Sequence, residues 1–521
     1  MNLNRHCLEK SIFSMLTNVW RHAAGVSKTG LGLALVACLV VFIVSTYRWP
    51  LIGDATLLHY VIFLMKHGMA PYRDIIDMNM PGTYLIQEAV VNIAGDGSLS
   101  WRLFDFFLLA SAMTAMIVIA LPYGWFAGFF AGALFALIHG VDGVPHSGQR
   151  DFVMSVLLLN AYAALFCATR RNWAWCAGLF GVFIGTAATV KPTVAPLGLL
   201  LMALLVYKRI REDKPAISLF LSGIAGMAVT VLPSVLFIQR YHAWVAFMEV
   251  LSQLLPYDAT LGRKPISYLL QHSLSPILPI AILWFLAVIV AWRRLGWEKV
   301  ALLIGAGVSL ASYIIQGKGY VYHRYPLIAI ILILSSIQFS EAFKEGVFVR
   351  GVAVAGLVYG SFVLAPISAF KIVHYEWWKD DFQANLRHDL DALGGPALSG
   401  NVQCIDMSAG CIKTLDRMRL VQATGFLYEY YLLSPNQNPY VLKERSSFMR
   451  LLLQNPPKVL VVTDQDYLFG DHGFEKIRRW PAFDRFLMDH YSLYKLQPPL
   501  PFVKWEPRES PQYGYEIFVL K

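Results

Sequence analysis

The stretch GDATLLHYVIFLMKHGMAPYRDIIDMNMPGTY, from Gly53 to Tyr84, decides how this chain is read. It holds three carboxylates (Asp54, Asp74 and Asp77), an aromatic and apolar filling, and proline turns at Pro71 and Pro81. It follows directly on the first strongly apolar run. A carboxylate is costly in hydrocarbon, so one at the mouth of a membrane helix points to a site at the membrane surface.

Outward from that stretch the chain is mostly membrane. Of its 521 residues, 56% are hydrophobic and 15% are charged, against about 25% charged in an ordinary soluble protein. Apolar runs fill the chain from 31 to 370, and charge and proline return after Lys371. The pattern predicts a mostly α, polytopic membrane domain over 31–370 and a water-soluble domain over 371–521, with a segment 1–30 before them. The first run has no small-residue cleavage site before Asp54 and reads as a signal anchor. The net charge of +10 does not point to nucleic acid, because Lys and Arg cluster in short loops between apolar runs.

Eleven spans are expected: 31–50, 102–121, 124–139, 152–169, 174–190, 193–207, 216–238, 275–292, 299–315, 325–340 and 347–369. Every second loop is basic. That set holds Arg5, Lys10, Arg21 and Lys28; Arg170 and Arg171; Lys208, Arg209, Arg211 and Lys214; Arg293, Arg294 and Lys299; and Lys344. Positive loops stay on the cytoplasmic side. The other loops, 51–101, 140–151, 239–274 and 316–324, then face outward, and so does the C-terminal region. This topology expects an inner-membrane protein with a cytoplasmic N-terminus and a periplasmic C-terminal domain.

The outward loops hold the unusual polar residues. Ala55 to Met65 reads as an amphipathic helix lying in the interface, with Tyr60 and Phe63 near the headgroups. Asp74 and Asp77, three apart, would share a face if helical, or else shape a turn. In GVDGVPHSGQRD (140–151), Asp151 reads as a helix cap and Arg150 as a functional cation or a snorkelling one. In QGKGYVYHRYP (316–326), Lys318, His323 and Arg324 share a Gly- and Tyr-rich turn suited to a phosphate. Lys191, before Pro192, reads equally as a phosphate ligand or an interfacial anchor. Asp258, Arg263 and Lys264 read as loop decoration. His59, His67, His139 and His146 follow no recognised zinc spacing. One acidic loop facing several basic ones is what group transfer from a lipid-linked phosphate requires: a carboxylate to take the acceptor proton, and cations for the departing phosphate.

These residues resemble the GT-C glycosyltransferases, in particular the branch with protein O-mannosyltransferases and the lipid A aminoarabinose transferase. Gly53-Asp54 resembles the family's acidic motif. Gly68 to Tyr72 resembles its Gly-x-x-Pro-Tyr turn, with Arg73-Asp74 following. Asn79-Met80-Pro81-Gly82 stands at its Pro-containing motif, and Gln149-Arg150-Asp151 resembles its second-loop Arg motif. Lys191-Pro192-Thr193 and Lys318 to Pro326 resemble its later phosphate-side turns. Ala55 departs from a commonly acidic position, and the Pro motif lacks its basic residue. The resemblance covers about residues 30–340. It implies an inverting transfer from a polyprenyl-phosphate sugar to a lipid, glycan or protein acceptor. Asp54 would be the general base, with Tyr72, Asp74, Asp77, Arg150, Lys191, Lys318, His323 and Arg324 on the substrate. It requires no particular cofactor and leaves a divalent metal open. The competing expectation is a lipid-linked glycan transporter or a non-catalytic partner in envelope polysaccharide assembly.

In the C-terminal region, 371–400 reads as an amphipathic helix anchored by Trp377 and Trp378. Strands are expected over 401–407, 491–497 and 515–521, and a helix, Pro-Pro turn and buried strand over 446–464. A small α/β domain follows, with no Gly-rich phosphate loop and no nucleophile elbow. Cys404 and Cys411 would pair as a disulfide if the domain lies outside the cytoplasm.

Overall fold

The computed structural model describes residues 28–171, 173–290, 295–374, 381–407, 410–435, 438–466, 473–499 and 513–521. The expectations for 1–27, for Arg293 and Arg294, and for the Trp377–Trp378 anchor lie outside the described residues.

Ten helices among the described residues are long and apolar enough to cross a membrane, and an eleventh, Ala174–Val190, is shorter. They coincide with the eleven expected runs. The largest shift is Ile266–Ile289, which starts nine residues before the expected 275 because Pro265 caps a first helical stretch, Ile266–Ser273. Val321–Ala342 is apolar all round and almost wholly buried, so it forms the centre of the bundle. It packs on Trp125–Asp142, Trp297–Gln316 and Arg150–Arg171. Ile217–Arg240 is peripheral and exposes Leu221, Val229, Leu232 and Leu236, side chains fit for lipid. The short helix Ala174–Val190 lies tightly on it. A Cβ at Gly181 would stand 2.0 Å from the carbonyl oxygen of Gly223, and one at Gly226 would stand 2.1 Å from that of Gly178. Small residues on both helices allow this backbone approach.

The C-terminal region carries a four-stranded sheet in the order β1-β2-β4-β3: β1 (Val402–Ile405), β2 (Val459–Thr463), β3 (Tyr491–Gln497) and β4 (Tyr515–Leu520). β1 and β2 are parallel and buried on both faces, with helix Pro439–Gln454 leading into β2. β4 runs antiparallel to both β2 and β3 and sits between them. One apolar core, with Phe448, Leu452, Val462 and Phe483, is built by this region, with Ile76 of the opening stretch packed against it. A second core is shared: Tyr60, Leu64, Tyr72 and Tyr84 of the opening stretch pack with Leu386, Leu415, Tyr428 and Val461.

The structure overturns one expectation about the opening stretch and decides another in favour of a turn. Helix Asp54–Lys66 is not an amphipathic interfacial helix, because every residue from Ala55 to Met65 is buried. Helix Cys411–Met418 packs on it, and Tyr60 donates its hydroxyl to the Leu420 carbonyl at 2.9 Å rather than meeting headgroups. Nor do Asp74 and Asp77 share a helical face. Tyr72 adopts φ 67°, and bridges from Pro71 to Ile75 and from Ile76 to Phe426 hold the segment out of helix. Asp74 stays half-exposed while Asp77 is fully buried.

Candidate active site

Asp54 is the first residue of its helix because Gly53 turns the chain at φ 65°. A side chain at Gly53 would be strained at that φ and would press on Pro145, about 3.2 Å away. The carboxylate thus sits at the positive end of a helix, against the turn 143–149. Gln149 reaches it from that turn: Nε2 donates to Asp54 Oδ2 at 3.2 Å, while Oε1 accepts the Asp151 N–H at 2.6 Å.

Arg150 and Asp151 open helix Arg150–Arg171. Asp151 is not a cap for this helix. It lies 3.8 Å from Arg150 Nε and pairs directly with the Lys191 ammonium, which arrives from the end of the short helix Ala174–Val190. Arg150 donates to the side-chain oxygen of Asn79. The Asn79 amide nitrogen, in turn, lies 2.9 Å from both oxygens of Asp77. Asp77 also accepts the Met78 N–H at 2.6 Å, the Tyr84 hydroxyl at 2.6 Å and the Tyr428 hydroxyl at 2.9 Å. Tyr72 donates to the Asn79 carbonyl at 2.7 Å. Burial, and then the Asp77 charge, push the Tyr428 and Tyr72 hydroxyls well above the usual phenol range, so both stay protonated donors.

Beside these groups lies a narrow cleft with free volume of about 10 Å³, with Leu58, Trp101 and Val190 as apolar walls and Thr83, Gln87 and Arg150 as polar ones. Gln87 Nε2 and Thr83 Oγ1 are buried with no hydrogen-bond partner. The cleft thus has room for about one water molecule and brings apolar walls together with polar groups that lack partners among the described residues.

The structure thus gathers Asp54, Tyr72, Asp77, Arg150 and Lys191. His323 is buried near Asp151, Lys191 and Arg150, its ring packed on Tyr320 and Tyr322. Lys318 belongs to an adjoining cluster: its ammonium meets Asp258 Oδ2 at 3.2 Å and the Asp258 carbonyl at 2.5 Å, and Tyr430 donates to Asp258 Oδ1 at 3.1 Å. Asp258 is therefore no loop decoration. Arg324 is fixed elsewhere, on Asp142 at 3.1 Å, Ser275 Oγ at 3.0 Å and the His272 carbonyl at 3.2 Å. Asp74 takes the Arg73 guanidinium and the Ala70 N–H, and the Arg73 hydrogen bond holds its carboxyl below the usual range.

Sequence reasoning passed over Gln149, Asn79 and Tyr428 as site groups. The first two stood inside motifs already singled out. Tyr428 had only an aromatic run, FLYEYYLLS (426–434), as a signal. A buried network of Arg102, Asp105 and His139 was also missed; it ties Arg102 to Thr46, and His139 to Asp105 and to Tyr325, each at 3.1 Å. Among the described residues, no three His, Cys, Asp or Glu side chains converge to hold a metal ion.

No family model and no curated protein sequence matches the chain. Solved structures do. The crystal structure of ArnT from Cupriavidus metallidurans in the apo state aligns at a TM-score of 0.59 and 15% identity, covering 94% of this chain and 98% of that one. The same protein bound to undecaprenyl phosphate aligns at 0.56 and 14% identity, covering 93% and 97%. Over nearly its whole length, this chain shares the fold of ArnT.

Proposed function

We propose that the protein is an inverting glycosyltransferase that moves a sugar from a polyprenyl-phosphate donor to an acceptor hydroxyl. The observation that carries this reading is Asp54 at a helix start beside Arg150 and an apolar-walled cleft. The fold shared with ArnT, one of whose structures holds undecaprenyl phosphate, supports it. Asp54 takes the proton of the acceptor hydroxyl as its oxygen forms the new bond to the anomeric carbon. The bond from that carbon to the phosphate oxygen breaks, and the phosphate leaves with the electron pair. Arg150 is the foremost phosphate contact, because its hydrogen bond goes to the neutral Asn79 and Asp151 stands off at 3.8 Å, whereas Lys191, Lys318 and Arg324 are each engaged directly by a carboxylate. Those three supply the surrounding positive charge, and His323 stands beside them as a hydrogen-bonding ring. Tyr72 and Asp77 hold the 77–84 segment; Asp74, held by Arg73 and the Ala70 N–H, is assigned to the acceptor in this reading.

The site faces the periplasm of an inner membrane in this reading. The alternation of basic loops supports that orientation, and so does the Cys404–Cys411 disulfide, since such bonds persist in oxidising compartments. The acceptor is a lipid, glycan or protein with a free hydroxyl. The deciding experiment incubates the detergent-purified protein with a panel of undecaprenyl-phosphate sugars and follows release of undecaprenyl phosphate. Release by wild type but not by Asp54→Asn is expected. Equal release by both would remove Asp54 as the base. No release from any donor, together with movement of lipid-linked sugar across a vesicle bilayer, would favour a transporter instead.

A further inference from the structure

Tyr428 is the point at which the C-terminal domain enters the site. It stands just before the short helix Glu429–Leu432, and that helix is clamped from behind. The buried Glu429 carboxylate pairs with Lys476 at 2.5 Å, and Lys476 also donates to the Gln465 carbonyl. Arg445 donates to the carbonyls of Leu432 and Ser434, both at 2.7 Å. On the membrane-domain side, Tyr257 donates to Ser434 Oγ at 2.6 Å and Tyr430 to Asp258. The Tyr428 hydroxyl is thereby delivered as a fixed donor to Asp77 Oδ1.

Beyond Asp77 the polarity of each group dictates the next. An ionised carboxylate only accepts hydrogen bonds, whereas a primary amide donates at one end and accepts at the other. Asp77 therefore takes the nitrogen end of Asn79 and turns its oxygen end outward. That oxygen meets Arg150, which only donates. The reversed amide would put oxygen against carboxylate and N–H against guanidinium, two repulsions at hydrogen-bond distance. The orientation of Arg150 at the cleft is thus tied to a hydroxyl supplied by a different domain.

We infer that Tyr428 is a positioning residue: through Asp77 and Asn79 it sets the guanidinium of Arg150 for the donor phosphate, so the C-terminal domain forms part of the donor site. The role of Arg150 rests on the function proposed above; the geometric relay does not.

The test uses the full chain, with Tyr60→Phe as the matched control. Tyr60 makes interface hydrogen bonds of the same kind, to the Leu420 carbonyl and from the Gln422 N–H, with no link to Arg150. With an undecaprenyl-phosphate sugar, Tyr428→Phe is expected to raise the donor KM roughly fivefold to tenfold and leave kcat within about twofold, the effect of losing one buried hydrogen bond. Tyr60→Phe is expected to lower the melting temperature comparably and leave the donor KM unchanged. Equal KM changes in both variants, or none in Tyr428→Phe, would overturn the inference. In Arg150→Ala, adding Tyr428→Phe should cost nothing more in KM. A structure of Tyr428→Phe gives a readout free of activity: loss of the Asn79–Arg150 contact is expected, and its survival refutes the relay. If wild type turns over no such donor, the functional reading fails while this structural readout still decides the relay.

Discussion

Gln149 holds Oδ2 of Asp54 through its side-chain amide at 3.2 Å, and the other end of the same amide receives the N–H of Asp151. The group proposed as base and the helix that carries Arg150 are thus joined by one side chain. Asp54→Asn should lower kcat by about 10²- to 10⁴-fold, the usual worth of a general base, with the donor KM little changed. Gln149→Leu should keep the base but free its orientation, for a loss of roughly tenfold in kcat. Steady-state kinetics on both variants checks this; a larger loss in Gln149→Leu than in Asp54→Asn would reverse the assignment.

The Lys191–Asp151 pair should behave as a unit. Both groups are largely buried, with side-chain exposures of 12% and 1%. Removing one partner strands the other charge, and Lys191→Met or Asp151→Asn alone should each destabilise by about 3 kcal/mol. The double variant should lose clearly less than the sum of the two. Reversible unfolding in mixed micelles measures all four corners of the cycle, and simple additivity would mean the two groups are not coupled.

Cys404 ends near Cys411 with Cα atoms 6.0 Å apart, bridging β1 to the N-terminus of helix Cys411–Met418. The closed loop is short, so the chain-entropy estimate of its worth is only about 2.5 kcal/mol. Cys404→Ser with Cys411→Ser should lower the melting temperature by that modest margin and keep activity at low temperature. In cells, thiol alkylation before and after reduction should find both cysteines blocked, while Cys38, Cys167 and Cys176 react without reduction once the protein is unfolded. Free thiols at 404 and 411 would contradict a periplasmic domain.

Asp416 supplies a pH dependence. Burial raises its carboxyl from the ordinary aspartate value to about 7, a rise that Arg419 and Arg417 oppose and Asp96 reinforces. Between about 4 and 7 the folded state binds the proton more tightly than the unfolded chain does. Its contribution to stability is therefore complete below about 4 and is lost as pH rises toward 7. Relative to wild type, Asp416→Asn should flatten the fall in melting temperature between pH 4.5 and 7.5. Parallel profiles for the two proteins would show that this carboxyl does not titrate there.

Much of the fold was legible because it follows from composition. Lipid forces a spanning segment to be long, apolar and helical, so Trp125–Asp142 or Val347–Val373 can be read from hydropathy alone. The strands Tyr491–Gln497 and Tyr515–Leu520 were likewise visible as runs of β-formers. The site was legible only in part. Gly53-Asp54 and Arg150 carry their meaning in local motifs. By contrast, the Tyr428–Asp77 contact joins residues 351 positions apart, and no local pattern encodes it. The same distance misled the reading of Ala55–Met65. A helix that looks interfacial from its own residues is buried along its whole length once helix Cys411–Met418 and the rest of the shared core pack around it. Asp151 shows a further limit: at a helix start it resembles a cap, and only the three-dimensional approach of Lys191 makes it an ion-pair partner.

β4 lies between β2 and β3, although it comes last of the four strands in the chain. The membrane helices can enter the bilayer one after another as they are made, yet the sheet that shoulders Tyr428 stays split until Tyr515–Leu520 has slid into the gap. A nascent chain halted before that point would have all its spans but would leave β2 and β3 without the strand that joins them. The sheet is therefore completed by the strand made last, and its two halves are joined only when that strand is in place.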